Sequence, residues 1–388
     1  MRWLGVFVLV TALGAPAAAA VPPQVRPVAA PASCLERYQV PPRPAAVEEL
    51  GVPAPDPLPW PAEPVGGSRL GTCGDVGPAS APMVGAESWV IADLDTGEVL
   101  AGRTPHARHR PASTLKVLTA LLALRDLDPA QRVAGTAADT AIDGSKAGIG
   151  PGAYYTVRQL LAGLLLSSGN DTAQALARAM GGQEAAVAAM TELAHELGAL
   201  DTRAATPSGL DGPGMASSAY DLALLFRVAM REPLFAELIA TRSVLFPGYG
   251  PNPAFELWNN NRMLTRYPGT LGAKAGFTDA ARHTLVAAAE QDGRRLVVAL
   301  MRGEQSPVPM WEQAGELLDW GFSLPASTRP VGVLVDRNPW APPPAPPVTA
   351  AELAAPAAGR APLAVIMLVS AVSAALLALG LLRVRARR

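Results

Sequence analysis

Residues 115–124 are apolar on nearly every side of a helix, so this segment has to run through the interior of a domain. Just before it stands Ser113, with Lys116 three residues later, so the two side chains share one face at the helix start. Unpaired backbone N–H groups and the helix dipole favour negative charge on a hydroxyl placed there. A lysine among apolar neighbours can lose its proton near neutral pH and act as a base. The pattern predicts a nucleophile with its base; a serine that only caps the helix is the alternative.

The charge balance excludes one large class of partner. The chain has 388 residues, 49% of them hydrophobic and 17% charged, and a formal net charge of -1. No basic surface points to nucleic acid. The two cysteines, Cys34 and Cys73, lack the cysteine or histidine neighbours of a metal site, so neither a metal nor another cofactor is predicted. We expect one disulfide between them, with two free thiols as the alternative.

Both ends of the chain carry targeting signals. Residues 1–20 resemble a signal peptide, with Arg2 before an apolar stretch and small residues at the end. Residues 362–382 are uncharged and long enough to cross roughly 30 Å of bilayer hydrocarbon, and the basic tail at 383–388 favours a cytoplasmic end. These signals predict an exported domain anchored in the cell membrane by a single C-terminal helix.

The pattern between the ends indicates one folded domain at residues 83–323. A Pro- and Ala-rich arm precedes it at 21–82, and a similar spacer follows at 324–361. Strand patterns occur early, at 88–94 and 99–101, and late, at 284–288 and 296–300, with helices between them. This order predicts an α+β domain in which one sheet is assembled from sequence-distant halves.

Several helices can be delimited by their capping residues. A Thr-x-x-Gln capping box at 156–159 opens a leucine-rich helix that ends at the Ser-Ser-Gly-Asn of 167–170. Further helices are predicted at 171–180, 184–197, 217–230 and 310–320.

Three short motifs follow one another along the domain. They are Ser-x-x-Lys at 113–116, Ser-Gly-Asn at 168–170 and Lys-Ala-Gly at 274–276. The set is similar to the signature of penicillin-binding proteins and serine β-lactamases. The runs Pro-Ala-Ser-Thr-Leu-Lys, Leu-Leu-Leu-Ser-Ser-Gly-Asn-Asp and Lys-Ala-Gly-Phe-Thr closely resemble the low-molecular-mass D-alanyl-D-alanine carboxypeptidases. The resemblance spans residues 83–323 and implies a DD-peptidase/β-lactamase-like fold, with an antiparallel sheet from both chain ends, packed helices and a helical subdomain.

The resemblance also implies a reaction. A serine-type carboxypeptidase of this family removes D-alanine from peptidoglycan stem peptides ending in D-Ala-D-Ala, needs no cofactor and is inhibited covalently by β-lactam antibiotics. Ser113 would attack the terminal peptide carbonyl while Lys116 accepts its proton. Ser168 would pass a proton to the leaving amine, and Asn170 would orient Lys116 and the substrate amide. Lys274 would attract the terminal carboxylate.

In its third motif the sequence departs from the usual pattern of this family. The substrate-binding residues implied by the resemblance are Lys274, Ala275, Gly276, Phe277, Thr278 and Arg282. The backbone N–H groups of Ser113 and Phe277 would form the oxyanion hole. Ala275 stands where the family usually has a threonine, so one hydroxyl for the carboxylate is missing. We hypothesise that Arg282 and Lys274 share that carboxylate instead.

Two other functions are weighed against this one. A class A β-lactamase needs a Glu-x-x-Leu-Asn run after the second motif, and the sequence has none, since the Glu-Leu-Trp-Asn at 256–259 has the wrong spacing. A wall-binding or penicillin-sensing module without turnover is suggested only by Ala275. The five intact motif side chains favour the carboxypeptidase.

Overall fold

Strands from both ends of the domain join in one sheet, as the sequence predicts. The computed structural model describes residues 55–341. The strands there are β1 (Asp75–Val76), β2 (Ser88–Asp93), β3 (Glu98–Arg103), β4 (Arg132–Ala134), β5 (Tyr154–Thr156), β6 (Ser243–Phe246), β7 (Phe255–Trp258), β8 (Thr270–Thr278), β9 (Arg282–Gln291), β10 (Arg294–Gly303) and β11 (Gly332–Val333). The main sheet is antiparallel in the order β1-β3-β2-β10-β9-β8, and β11 pairs with β3. The pairs β4-β5 and β6-β7 stand apart from it.

Helices fill most of the chain between β3 and β8. They are α1 (Lys116–Asp126), α2 (Ala137–Ala141), α3 (Val157–Leu166), α4 (Asn170–Ala179), α5 (Gln183–Leu197), α6 (Ala219–Ala229), α7 (Pro233–Ala240) and α8 (Met263–Arg266), and α9 (Met310–Ser323) lies between β10 and β11. The capping box predicted at Thr156 is present at the start of α3, and α2 begins with a second one, between Thr136 and Asp139, that is absent from the sequence prediction. Every residue of α1 from Lys116 to Ala123 is buried, so this helix runs through the interior as predicted.

The central strands are buried on both faces because helices cover both. Val90 belongs to the cluster that includes α1, α3 and α6, whereas its neighbour Ile91 belongs to the cluster on α9. Successive side chains of a strand point to opposite faces, so β2 and β10 lie between two layers of helix. This explains why these strands are almost uninterrupted apolar runs.

The opening hairpin is fixed by local chemistry. The Asp93 carboxylate accepts the backbone N–H groups of Asp95 and Thr96, at 3.0 and 2.9 Å. Gly97 then takes a left-handed conformation with φ +79°, which suits glycine and reverses the chain into β3.

The sequence does not predict β8, and packing explains why it forms. Its sequence, Thr-Leu-Gly-Ala-Lys-Ala-Gly-Phe-Thr, has few residues that favour strands. Antiparallel pairing with β9 along the length of β8 holds these residues in a strand instead. A Cβ on Gly272 would approach Ile239 to 2.5 Å, so the small residues let the strand pass close to α7. The short helix α7 and the β6-β7 hairpin are also absent from the sequence prediction.

The described part of the N-terminal arm packs on the domain instead of extending from it. Arg108 donates to the carbonyls of Leu58, at 2.5 Å, and Pro59, at 3.0 Å. Its guanidinium lies 3.6 Å from the ring centroid of Trp60. Residues 68–71 form a 3₁₀ turn that precedes β1. Residues 55–76 are therefore integral to the fold.

The predicted membrane anchor requires a correction. No helix within residues 55–341 is long and apolar enough to cross a bilayer. The longest, α5, has 15 residues, whereas a span needs about 20. The segments behind the prediction, 1–20 and 362–382, lie outside the described residues. The predicted localisation, an exported domain held in the membrane by one helix, is therefore wrong for the residues that the structure describes. Cys34 also lies outside it, so its pairing with Cys73 stays a prediction.

Candidate active site

Ser113 occupies a tight turn that several elements hold in place. The turn is the 3₁₀ segment Ala112–Leu115, which leads directly into α1. Thr284 on β9 donates to the Pro111 carbonyl at 2.8 Å, which ties the turn to the sheet. A Cβ on Gly276 would lie 2.6 Å from the Ser113 nitrogen, so only glycine lets β8 approach so closely. The turn therefore places the half-buried Ser113 against the third motif.

Three oxygens surround the amine of Lys116. Its Nζ lies 2.8 Å from Ser113 Oγ, 2.7 Å from Asn170 Oδ1 and 2.6 Å from the Ser208 carbonyl oxygen. The two carbonyl oxygens can only accept, so they take both N–H groups of a free amine. When the amine is neutral, its lone pair faces the Ser113 hydroxyl, which can then donate to it. Asn170 Nδ2 donates to the Asp143 carbonyl at 2.6 Å, which fixes the amide so that its oxygen faces the lysine.

The surroundings of Lys116 favour this neutral form. Burial lowers the pKa of its amine well below the ordinary lysine value, and the positive charge of Lys274 lowers it further. The negative charge of Asp171 acts in the opposite direction. The balance leaves a base able to accept a proton from Ser113.

The second and third motifs meet through Lys274. Its Nζ donates to Ser168 Oγ at 2.8 Å and to the Ala275 carbonyl at 2.8 Å. Ser168 takes a left-handed conformation, with φ +62°, between α3 and α4, and this kink turns its hydroxyl toward β8. Burial lowers the pKa of Lys274 to about 7. The structure thus brings together Ser113, Lys116, Ser168, Asn170 and Lys274.

The remaining predicted residues lie along β8 and the turn after it. β8 is an edge strand of the sheet, and its exposed side chains include Ala275 and Phe277. Phe277 packs against His283 with the two rings tilted and their centroids 4.4 Å apart. Thr278 accepts the Ala281 N–H at 3.0 Å, which gives its hydroxyl a role in the β8-β9 turn.

Arg282 does not contact the five-residue cluster. It pairs with Thr278 in the β8-β9 register, four residues beyond Lys274. Its guanidinium forms a two-pronged ion pair with Glu304, with both N–O distances at 2.8 Å. Any role in binding a carboxylate would require Arg282 to leave or share this partner.

Sequence reasoning missed the groups that act through the backbone. The Ser208 and Asp143 carbonyls carry no side-chain signature, and neither does the approach of Gly276 to Ser113. The Pro-Ser-Gly-Leu run at 207–210 resembles the family, but its sequence alone does not say that a carbonyl contacts Lys116.

One buried cluster could be mistaken for a metal site. Oxygen and nitrogen atoms of His106, Asp201 and Asp221 lie within 4.8 Å of one another. Both ring nitrogens of His106 face acceptors, however: Asp201 Oδ2 at 2.7 Å and the Val65 carbonyl at 3.0 Å. These contacts occupy both ring nitrogens of His106, so neither is open to a metal. The cluster is a hydrogen-bond network of the core.

Comparison with known proteins agrees with this site. A family described as D-alanyl-D-alanine carboxypeptidase matches residues 76–305. A D-alanyl-D-alanine carboxypeptidase of Mycobacterium tuberculosis is 49% identical over 257 residues, which cover 64% of this chain and 88% of the relative. A Bacillus subtilis protein of the same name is 33% identical, and the match covers 61% of this chain and 62% of that protein.

Solved structures give the same result. The crystal structure of a D-alanyl-D-alanine carboxypeptidase from Mycobacterium tuberculosis has a TM-score of 0.64 at 48% identity, covering 66% of this chain and 99% of that one. A Streptomyces DD-transpeptidase has a TM-score of 0.60 at 26% identity, covering 63% of this chain and all of that one. The fold and the site define a penicillin-binding DD-peptidase. Within that class, the chain belongs to the D-alanyl-D-alanine carboxypeptidase family.

Proposed function

We propose that this chain is a serine-type carboxypeptidase that removes the terminal D-alanine from peptidoglycan stem peptides ending in D-Ala-D-Ala. The observation that carries the proposal is the partner set of Lys116. Two carbonyl oxygens hold its N–H groups, and its lone pair faces the hydroxyl of Ser113 at 2.8 Å. Such a base–nucleophile pair at the start of a buried helix suits acyl transfer.

Acylation breaks the terminal peptide bond and forms an ester on Ser113. The Ser113 oxygen attacks the carbonyl carbon while its proton moves to Lys116. The backbone N–H groups of Ser113 and Phe277 stabilise the negative oxygen of the tetrahedral intermediate. Ser168 then delivers a proton to the leaving nitrogen and regains one from Lys116, so D-alanine departs and Lys116 is again a neutral amine.

Deacylation reverses these roles with water as the nucleophile. Lys116 takes a proton from the water as it attacks the ester carbonyl, and the Ser113 oxygen regains a proton when the ester breaks. Lys274, held against Ser168, attracts the substrate carboxylate during binding. No cofactor takes part in either step.

A β-lactam would enter the same pathway but stop at the ester. Its strained amide is attacked by Ser113, and the sequence has no Glu-x-x-Leu-Asn run whose glutamate could activate water for rapid release. We therefore expect long-lived labelling of Ser113 by penicillin. Because the proposed substrate is a peptidoglycan stem peptide, we also expect a role in cell-wall biogenesis.

The decisive experiment measures D-alanine released from a peptide ending in D-Ala-D-Ala, together with the intact mass after penicillin treatment. The wild type should release D-alanine and gain one penicillin mass, and Ser113→Ala should do neither. Rapid turnover of penicillin would favour a β-lactamase. An adduct without any D-alanine release would favour a penicillin-sensing module.

We also propose that Cys34 and Cys73 form a disulfide that ties the arm to the domain. Cys73 is not a free thiol in the described structure. A closed loop of about 40 residues would add a few kcal/mol to the free energy of unfolding in the chain-entropy model. Peptide mapping without reduction should recover the two cysteines as one linked pair. Recovery of either one as an alkylated free thiol would refute the pairing.

A further inference from the structure

We propose that Asp171 is a positioning residue for the base Lys116, acting both by holding the segment 143–150 and by its negative charge. This inference rests on the proposed acylation of Ser113. It concerns a side chain that contacts neither the substrate nor the reacting atoms.

The first observation is how Asp171 is bound. It lies in the first turn of α4, and its side chain is buried. One carboxylate oxygen accepts the N–H groups of Ala147, at 2.9 Å, and Thr172, at 2.9 Å. The other accepts those of Gly148, at 2.8 Å, and Ile149, at 3.2 Å. Three consecutive backbone N–H groups thus converge on one buried carboxylate, which holds the segment 143–150 against α4.

The second observation is what this segment does to Asn170. The Ser145 carbonyl accepts the Asn170 backbone N–H at 2.7 Å. The Asp143 carbonyl accepts from Asn170 Nδ2 at 2.6 Å, and this bond turns Oδ1 toward Lys116. Gly144 packs on the same amide, since a Cβ there would lie 2.7 Å from Nδ2. The geometry of the base therefore depends on a segment that Asp171 secures.

The third observation is electrostatic. Within residues 55–341, two charged side chains act on the Lys116 amine: Lys274 on β8, which lowers its pKa, and Asp171 on α4, which raises it. The other groups facing the amine, Ser113, Asn170 and the Ser208 carbonyl, are neutral. A base whose pKa falls too far binds the proton of the nucleophile weakly. The charge of Asp171 limits that fall.

The test is the rate of Ser113 acylation by labelled penicillin as a function of pH, in the full-length protein. Asp171→Asn removes the charge and some of the four hydrogen bonds while keeping the shape of the side chain. Loss of the negative charge should move the acid limb of the profile to lower pH by about one unit, the lower end of what one nearby opposite charge does to a pKa. The rate on the plateau should fall about tenfold as Asn170 loses its orientation.

Two variants separate geometry from charge. Asp171→Glu keeps the charge but displaces the segment, so the plateau should fall while the acid limb stays in place. Asp221→Asn is the matched control, because Asp221 is also a buried aspartate in the first turn of a helix. Asp221 is not among the charged side chains that act on the Lys116 amine, so this change leaves the surroundings of the base as they are. Its pH profile should coincide with that of the wild type.

The outcomes are distinct. An acid limb of Asp171→Asn that stays in place or moves to higher pH overturns the inference, as does an unchanged plateau. If Asp171→Asn does not fold, Asp171→Glu decides, and a shifted acid limb or an unchanged plateau in that variant overturns it. A wild type that is never labelled on Ser113 refutes the proposed function itself, which is a separate result.

Discussion

The two lysines of the site differ in how far their surroundings lower their pKa values, and this difference assigns their charges. Burial and the positive charge of Lys274 lower the pKa of Lys116 and favour a neutral amine, which donates to two carbonyl oxygens and accepts from the Ser113 hydroxyl. Lys274 has Ser168 and a carbonyl as its contacts within the described structure. An ammonium there keeps a further N–H for an incoming anion. One lysine can then act as the base while the other binds the carboxylate.

This assignment predicts a pH dependence for substrate binding. Burial lowers the pKa of Lys274 to about 7, so its amine is charged below that pH and neutral above it. The value of kcat/KM for a peptide ending in free D-Ala-D-Ala should therefore fall as the pH rises through about 7. The C-terminal amide of the same peptide, which has no carboxylate, should lack this fall. Parallel profiles for the two peptides would contradict a carboxylate-binding role for Lys274.

The missing hydroxyl at Ala275 leads to a second prediction about single residues. If Arg282 helps to bind the carboxylate, it has to compete with its ion pair to Glu304. Arg282→Ala should then raise KM for the free peptide far more than for its amide, and Glu304→Gln, which frees the guanidinium, should lower it. Ala275→Thr should improve the free peptide only modestly. A large gain from Ala275→Thr with no effect of Arg282→Ala would mean that nothing compensates for the missing hydroxyl, which is worth roughly 1.5–3 kcal/mol.

At the scale of elements, each motif lies where a helix or strand ends or meets a neighbour. Ser113 precedes α1, Ser168 and Asn170 lie at the junction of α3 and α4, and Lys274 lies on an edge strand. Backbone groups at such places are not used up by regular hydrogen bonding, so they can orient side chains. The lengths and caps of the helices therefore determine where the motifs meet.

The capping box of α3 can be tested on this basis. The Thr156 hydroxyl accepts the Gln159 N–H at 3.2 Å, and Gln159 Oε1 accepts the Thr156 N–H at 2.8 Å. Thr156→Ala should lower the free energy of unfolding by about 1 kcal/mol, measured by urea denaturation. Thr156→Ser keeps the hydroxyl and should lose much less. Equal losses in the two variants would show that packing of the threonine methyl, not capping, stabilises this end.

At the scale of the whole molecule, the N-terminal arm is joined to the core by buried charges. Arg108 donates to Asp201 at 2.9 Å as well as to two arm carbonyls, and His106 binds Asp201 from the other side. The helical layer and the arm share this network. The stability of the domain should therefore depend on residues that precede its first strand.

A pair of variants tests that dependence. Arg108→Met should lower the free energy of unfolding by about 3–5 kcal/mol, the usual cost of breaking a buried charge pair. The exposed pair of Arg103 and Asp75 is the matched control, and Arg103→Met should cost about 1 kcal/mol or less. Penicillin labelling of Ser113 should persist in Arg108→Met at a temperature where it remains folded. Equal thermal stability of the two variants would contradict a structural role for the arm.

Features set by neighbouring residues could be predicted from the sequence. The buried helix after Ser113, the turn at Gly97, the capping box at Thr156 and the α+β order of elements all follow from local patterns. The three motifs could also be recognised from the sequence, because their residue types and order are distinctive. Predictions from local pattern were incomplete where a strand depends on its partner, as β8 does. The predicted membrane anchor is wrong for the described residues.

The sequence by itself determined which side chains are available for chemistry and the order in which they occur. Only the tertiary structure decided the charge of Lys116, the partner of Arg282 and the role of the Ser208 carbonyl. The physical reason is that hydrogen bonds and burial depend on distances between residues far apart in the chain. Lys116 and Ser208, for example, are 92 positions apart, and a backbone carbonyl looks the same in every sequence. The amine becomes a base because folding removes it from water and places the charge of Lys274 near it, and both lower its pKa.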